Sequence, residues 1–186
     1  MTLLQKWKLI KSQQLLKDQW ADIKINEYEK SDGTIIKPYY VYGYPDFATA
    51  LAITREGKVI ALNVYRPAID SISLEIPGGC IDPTDSSPKD AIERELLEET
   101  GYRFDSIEEL GCLSPNPSTN TNLLRMFLAT GGVYDDLAER DVAESLEVVL
   151  LDWNDFIEKF KSKAFIQSMH NCNILFALMK MNKLII

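Results

Sequence analysis

The sequence predicts an α/β fold, a mixed sheet sandwiched by helices. Three observations predict it. Turn-punctuated runs of strand-forming residues extend from residue 21 to residue 76, a capped helical pattern follows at 88–100, and strands and helices then interleave toward the C-terminus. With 186 residues the chain is long enough to bury one sizeable core and short for two comfortable domains.

From Ala21 to Tyr28 apolar and polar residues alternate loosely, Ser31-Asp32-Gly33 is a turn, and Thr34 to Tyr44 reads as the returning strand. Phe47 to Thr54 and Lys58 to Arg66 form a second hairpin around Arg55-Glu56-Gly57. Ile72 to Ile76 is a short strand feeding a glycine turn at Gly78-Gly79. Ser87 before Pro88 supplies an N-cap with proline at N1, Asp90 stands where it can reach back as in a capping box, and Gly101 supplies the C-cap. Ile107 to Leu113, Leu123 to Thr130 and Leu146 to Asp152 are further strands. Two helices close the chain, Trp153 to Lys161 and about Ile166 to Met181, the second apolar at Ile166, Met169, Ile174, Ala177 and Leu178.

Composition narrows the function classes. A net charge of −8 argues against nucleic acid as a partner, though not against a small phosphorylated substrate accompanied by divalent cations. Three cysteines, Cys80, Cys112 and Cys172, lack metal-site spacing, and their odd number argues against a disulfide framework. Cys80 has no histidine partner and reads as packing. The first twenty residues contain no apolar signal core, and the run Ile174–Met179 is too short to span a bilayer. A soluble, cytoplasmic protein without membrane contact is expected.

The helix at 88–100 carries the chemistry. Glu95, Glu98 and Glu99 fall within about a third of its circumference. Glu95 opposes Glu98 at i+3 and Glu99 at i+4, and all three lie toward the end where the helix dipole disfavours anions. No lysine or second arginine sits among them, so a bound hard cation is the natural counter-charge. A solvated acidic face has the same composition; what sets this cluster apart is the apolar strand and glycine turn before it, where backbone can approach closely.

The stretch from Gly78 to Tyr102 resembles the Nudix box, G-x5-E-x7-R-E-U-x-E-E-x-G-U, with U a bulky aliphatic or aromatic residue. Arg94 through Tyr102 matches at every specified position. The left half departs: Asp85 stands where the family has glutamate, and eight residues instead of seven separate it from Arg94. In the family that glutamate braces loop to helix through the arginine, and Asp85 could do so with a shorter reach. Outside the box the order of elements is similar to the ADP-ribose pyrophosphatase branch. Tyr65-Arg66-Pro67, Pro117 and the segment Ala143 to Val148 resemble motifs of that branch.

The resemblance implies an α/β/α Nudix sandwich at 46–186, preceded by an N-terminal strand pair within 1–45 that serves dimerisation and base stacking. It implies Mg²⁺, with Mn²⁺ as an alternative, held by Glu95, Glu98, Glu99, the Gly78 carbonyl and Glu144. Glu144 is also the candidate catalytic base, with Glu139 and Glu147 as rivals and Glu98 as a second catalytic candidate. Arg66 reads equally as a phosphate ligand or a surface salt bridge, and only the family match favours the ligand. Trp20, Tyr39 and Tyr40 are candidates for stacking on a base, against the commoner role of strand aromatics in a core. The only histidine, His170, falls among apolar neighbours of the last helix and reads as core or surface.

The expected function is Mg²⁺-dependent hydrolysis of the pyrophosphate of a nucleoside diphosphate sugar, ADP-ribose before others, by a homodimer. The alternatives are a GDP-mannose type hydrolase and a catalytically inactive nucleotide-sensing module.

Overall fold

A computed structural model of the chain describes residues 4–137 and 145–184. It comprises two compact units, Met1–Pro45 with Ser114–Leu123, and Asp46–Leu113 with Leu124–Ile186.

The first unit is a three-stranded antiparallel sheet, β1 (Lys8–Lys17), β2 (Asp22–Glu29) and β3 (Ile35–Gly43), in that spatial order. The sequence resolves β2 and β3; β1 has no clean alternation, is exposed along its whole length, and shifts register between Leu9 and Lys11 and between Gln14 and Leu16. Its extended form comes from pairing with β2 and not from a buried face. Ser114–Leu123 joins this unit through β3: the Tyr42 N–H donates to the Thr119 carbonyl at 2.8 Å, and the Thr121 N–H donates to the Tyr42 carbonyl at 3.0 Å.

The second unit contains β4 (Phe47–Thr54), β5 (Val59–Arg66), β6 (Ser71–Glu75), β7 (Gly78–Cys80), α1 (Pro88–Thr100), β8 (Tyr102–Arg103), β9 (Ser106–Leu113), β10 (Leu124–Tyr134), β11 (Leu146–Leu151), α2 (Trp153–Lys161) and α3 (Ser168–Lys180). The main path of its sheet runs β11-β5-β4-β10-β8, with β6 beside β5, β7 beside β4 and β9 beside β10. β4 and β10 pair in parallel and the other pairs are antiparallel, so the sheet is mixed.

Side-chain alternation along β4 distributes the two cores. Ala48, Ala50 and Ala52 join Ile92 and Leu96 of α1 on one face, whereas Leu51 joins Phe156 of α2 and Ile174, Ala177 and Leu178 of α3 on the other. Three alanines in register let α1 approach the sheet closely. The result is the α/β/α arrangement.

Local chemistry accounts for the helix ends. The Ser87 hydroxyl accepts the Asp90 N–H at 3.1 Å, Pro88 opens α1, and Gly101 closes it at φ 76° with its N–H on the Leu97 carbonyl. The expected return bond from the Asp90 side chain is absent among the described residues, so the cap is one-sided. α3 begins at Ser168, two residues later than expected, which leaves Ile166 exposed and outside the helix. The glycine turn is itself a short strand, β7, and β10 runs four residues past Thr130 by means of an irregularity at Gly131, whose φ is 73°.

Candidate active site

The site grows from β7 lying against α1. β7 pairs with β4 so that Gly78 faces Thr49 and Gly79 faces Ala48. Gly78 has φ 151°, and a Cβ there would collide with the Ala48 carbonyl and lie 2.7 Å from Thr49 Cα. At Gly79 the obstacle is different: a Cβ would lie 2.5 Å from the Glu95 carboxylate. The two glycines therefore bring backbone against strand on one side and against a glutamate of α1 on the other.

Glu99 completes this contact. Its Oε2 accepts the Gly78 N–H at 2.8 Å, and the residue is 9 % exposed. Glu95 and Glu98 are held differently. Arg94 Nη1 donates to Glu95 Oε1 and to Glu98 Oε2, each at 2.9 Å. The same guanidinium clasps Asp85 at two points, Nε to Oδ1 at 3.1 Å and Nη2 to Oδ2 at 3.0 Å, and Nη2 also reaches the Cys80 carbonyl at 3.2 Å. Hydrogen bonding to Asp85 raises Arg94 above its ordinary pKa, and the same bond holds Asp85 below the usual carboxylate range. Asp85 thus braces loop to helix despite the extra residue before the cap.

Two expectations change here. The acidic arc contains its own counter-charge, because Arg94 engages two of its three carboxylates. Cys80 is exposed and packs no core; the loop uses its carbonyl. Among the described residues no three acidic, histidine or cysteine side chains are already gathered as metal ligands, which follows from Arg94 drawing Glu95 and Glu98 to itself while Glu99 turns to Gly78.

Arg66, at the end of β5, forms a two-point pair with Glu75 of β6, Nε to Oε1 at 2.9 Å and Nη2 to Oε2 at 2.7 Å. Its partner is nearly inaccessible: the Glu75 side chain is 4 % exposed and that of Arg66 is 48 % exposed. Burial, the largest single influence, would raise Glu75, but the Arg66 hydrogen bonds together with the surrounding charge hold the carboxyl below its ordinary value. On the other side of Glu75, His170 Nδ1 lies 3.9 Å from Oε2 and accepts the Ile76 N–H at 3.4 Å. Burial pushes His170 down to about 4, so the ring is neutral near pH 7, with its proton on Nε2. Glu75 escaped sequence reasoning because a strand glutamate carries no motif, whereas His170, read from the sequence as core or surface, is buried.

In the first unit, Tyr39 packs edge-on against Trp7 and Tyr28, with centroid separations of 6.2 and 5.4 Å, and its hydroxyl donates to the Ser118 carbonyl. These rings and Val41, Pro117 and Thr119 line a hollow of about 590 Å³. Trp20 borders a different hollow beside Asp18, Gly43 and Pro45, and Tyr40 lines neither. The three aromatic candidates are therefore not brought together, while Trp7 and Tyr28 join Tyr39 with no sequence signal beyond their ring type. Glu144 and Glu139 lie outside the described residues. Glu147 on β11 accepts the Asn63 amide at 2.9 Å.

The model of the NUDIX domain matches residues 45–168. The chain is 27 % identical over 157 residues to an ADP-ribose pyrophosphatase of Bacillus subtilis (strain 168), covering 84 % of each protein. It is 31 % identical over 158 residues to a GDP-mannose pyrophosphatase of Yersinia enterocolitica, covering 77 % of this chain and 81 % of that one. A crystal structure of an ADP compounds hydrolase superposes with a TM-score of 0.83 at 20 % identity, covering 99 % of this chain and all of the other, which establishes likeness of fold. The chain belongs to the Nudix family. Within it, the chain is a Nudix pyrophosphohydrolase. No helix among the described residues is long and apolar enough to cross a membrane.

Proposed function

We propose that the protein hydrolyses the pyrophosphate bond of a nucleoside diphosphate sugar with the help of Mg²⁺, acting on ADP-ribose to give AMP and ribose 5-phosphate. The observation that supports this most is the meeting of Glu95 and Glu99 with the Gly78–Gly79 backbone. The donors there are oxygens throughout, the carboxylates of Glu95, Glu98 and Glu99 and the Gly78 carbonyl, which is the set that Mg²⁺ selects and Mn²⁺ accepts. The missing Cβ of Gly79 suits it further, since that space belongs to the Glu95 carboxylate. Bound Mg²⁺ would supply neutralisation of the diphosphate and acidification of water.

The remaining work falls to the chain. Arg66, oriented by buried Glu75, would meet phosphate oxygens with a planar fork. Glu144 would take the proton of the attacking water, with Glu98 the second candidate. The water oxygen joins one phosphorus, the bridging P–O bond breaks, and its electron pair leaves with the other phosphate. Trp20, Tyr39 and Tyr40 are the candidates to stack on the base. A homodimer fits the apolar residues exposed along β1, Leu9, Ile10, Leu15 and Leu16. Unbridged cysteines fit a cytoplasmic setting, and the charge of −8 fits a small-molecule partner better than nucleic acid.

GDP-mannose is the second reading, favoured by the higher identity to the Yersinia relative. Incubation with a panel of nucleoside diphosphate sugars and Mg²⁺, read by product chromatography, decides. ADP-ribose should turn over fastest; faster turnover of GDP-mannose would select the second reading, and no turnover of any member would defeat both readings. Glu144→Gln should lower kcat by about 10²–10⁴-fold with little change in KM, more than Glu139→Gln or Glu147→Gln.

A further inference from the structure

The glycine strand is gripped from both faces of the sheet. On the α1 face the grip is Glu99 on the Gly78 N–H. On the opposite face it comes from two polar residues of α3, one turn apart, on a side otherwise built of Ile174, Ala177 and Leu178. His170, 4 % exposed, accepts the Ile76 N–H. Asn173, fully buried, donates to the Thr49 carbonyl at 2.7 Å and to the Thr49 hydroxyl at 2.8 Å. Thr49 is the residue opposite Gly78 in the β4–β7 pairing.

Nothing in packing requires these two side chains. An apolar residue would fill either space but would leave the Ile76 N–H or the Thr49 carbonyl and hydroxyl without these partners, and Asn173 is retained even though its own Oδ1 has no partner among the described residues. What they do is complete the backbone accounting of the segment: the Ile76 N–H goes to His170, the Pro77 carbonyl to the Ala50 N–H at 3.0 Å, and the Gly78 N–H to Glu99. His170 Nδ1 also lies 3.9 Å from the Glu75 carboxylate, which is paired with Arg66.

We propose that His170 and Asn173 are positioning residues for hydrolysis, a clamp on α3 that fixes the Ile76–Gly78 backbone beside the Thr49 strand. This rests on the functional reading above, in which the Gly78 carbonyl is a metal ligand. Partners that orient ligands without touching the metal typically alter affinity about 10–100-fold when lost.

The test uses full-length His170→Phe, which keeps bulk and removes the acceptor, His170→Gln, whose amide oxygen can accept the same N–H, and Asn173→Leu. Mn²⁺ affinity is read by the paramagnetic signal of the free ion, and backbone protection of residues 74–80 by hydrogen exchange. His170→Phe should bind Mn²⁺ about 10-fold more weakly and exchange this segment faster. His170→Gln should recover most of both. Asn173→Leu should weaken Mn²⁺ while lowering the thermal midpoint only modestly, so a folded variant remains for the test if the phenylalanine variant does not fold. Folded variants with wild-type Mn²⁺ affinity overturn the positioning role. A wild-type protein that binds no Mn²⁺ defeats the functional reading instead; the clamp is then judged on exchange, and equal protection in wild type and His170→Phe overturns it.

Discussion

Arg94 and Asp85 form a two-point ion pair whose arginine simultaneously holds Glu95 and Glu98, so loop anchoring and charge neutralisation pass through one guanidinium. Asp85→Asn removes the charge from a pair whose carboxylate side chain is 8 % exposed. Urea unfolding should show a loss of about 2 kcal/mol, the scale of a charge-assisted hydrogen bond. Arg94→Lys should cost at least as much, because an ammonium cannot reproduce the fork. An unchanged midpoint in both variants would mean the loop is held by something else.

Glu99→Gln should abolish turnover in a folded protein. The amide oxygen can still accept the Gly78 N–H, so the β7–α1 contact survives, but the charge a hard cation needs is gone. Circular dichroism checks the fold and Mg²⁺-dependent activity checks the assignment; wild-type turnover at saturating Mg²⁺ would remove Glu99 from the metal set.

Adjacent glycines should respond differently to alanine. At Gly79 the new methyl meets the end of a flexible glutamate, so Gly79→Ala should fold, displace Glu95 and lose activity. At Gly78 it meets strand backbone at a φ that suits glycine, so Gly78→Ala should destabilise by more than about 2 kcal/mol. Paired thermal melts and activity measurements separate the two outcomes, and equal midpoints for the two variants would contradict this assignment.

Acid should weaken the fold through His170. Its pKa falls from an ordinary 6.5 to about 4 on folding, so the unfolded chain binds the proton first as pH drops. The stabilisation is full above pH 6.5 and declines toward pH 4, by about 3 kcal/mol in all. Glu75 is also lowered and acts in the same direction, its contribution fading as pH falls through its folded value. Urea midpoints between pH 7 and pH 4.5 should fall in the wild type and fall less in His170→Phe. Parallel slopes would show that His170 is not the group titrating.

Local signals made much of this legible. Ser87, Pro88 and Gly101 mark the ends of α1 in the sequence, and the helix occupies Pro88–Thr100. Where structure depends on distant partners the sequence was silent. β1 is extended because β2 pairs with it, and no buried face leaves an alternation to read. Arg94 looked outnumbered on a helical wheel, yet a long guanidinium reaches i+1, i+4 and a loop nine residues upstream at once. The Glu75–His170 contact joins residues far apart in the chain and is set by the packing of α3 on the sheet, which no spacing rule encodes.

The parallel pairing of β4 with β10 has a consequence for biosynthesis. β5 and β7 close one edge of β4, but among the described residues its other edge is closed only by β10, whose first residue follows the end of β4 by about seventy positions. At a ribosomal rate of ~5–20 residues per second, several seconds pass with an alanine-rich strand edge open to any passing chain. A nascent protein arrested before Leu124 should therefore be the form most prone to aggregate and most dependent on chaperones.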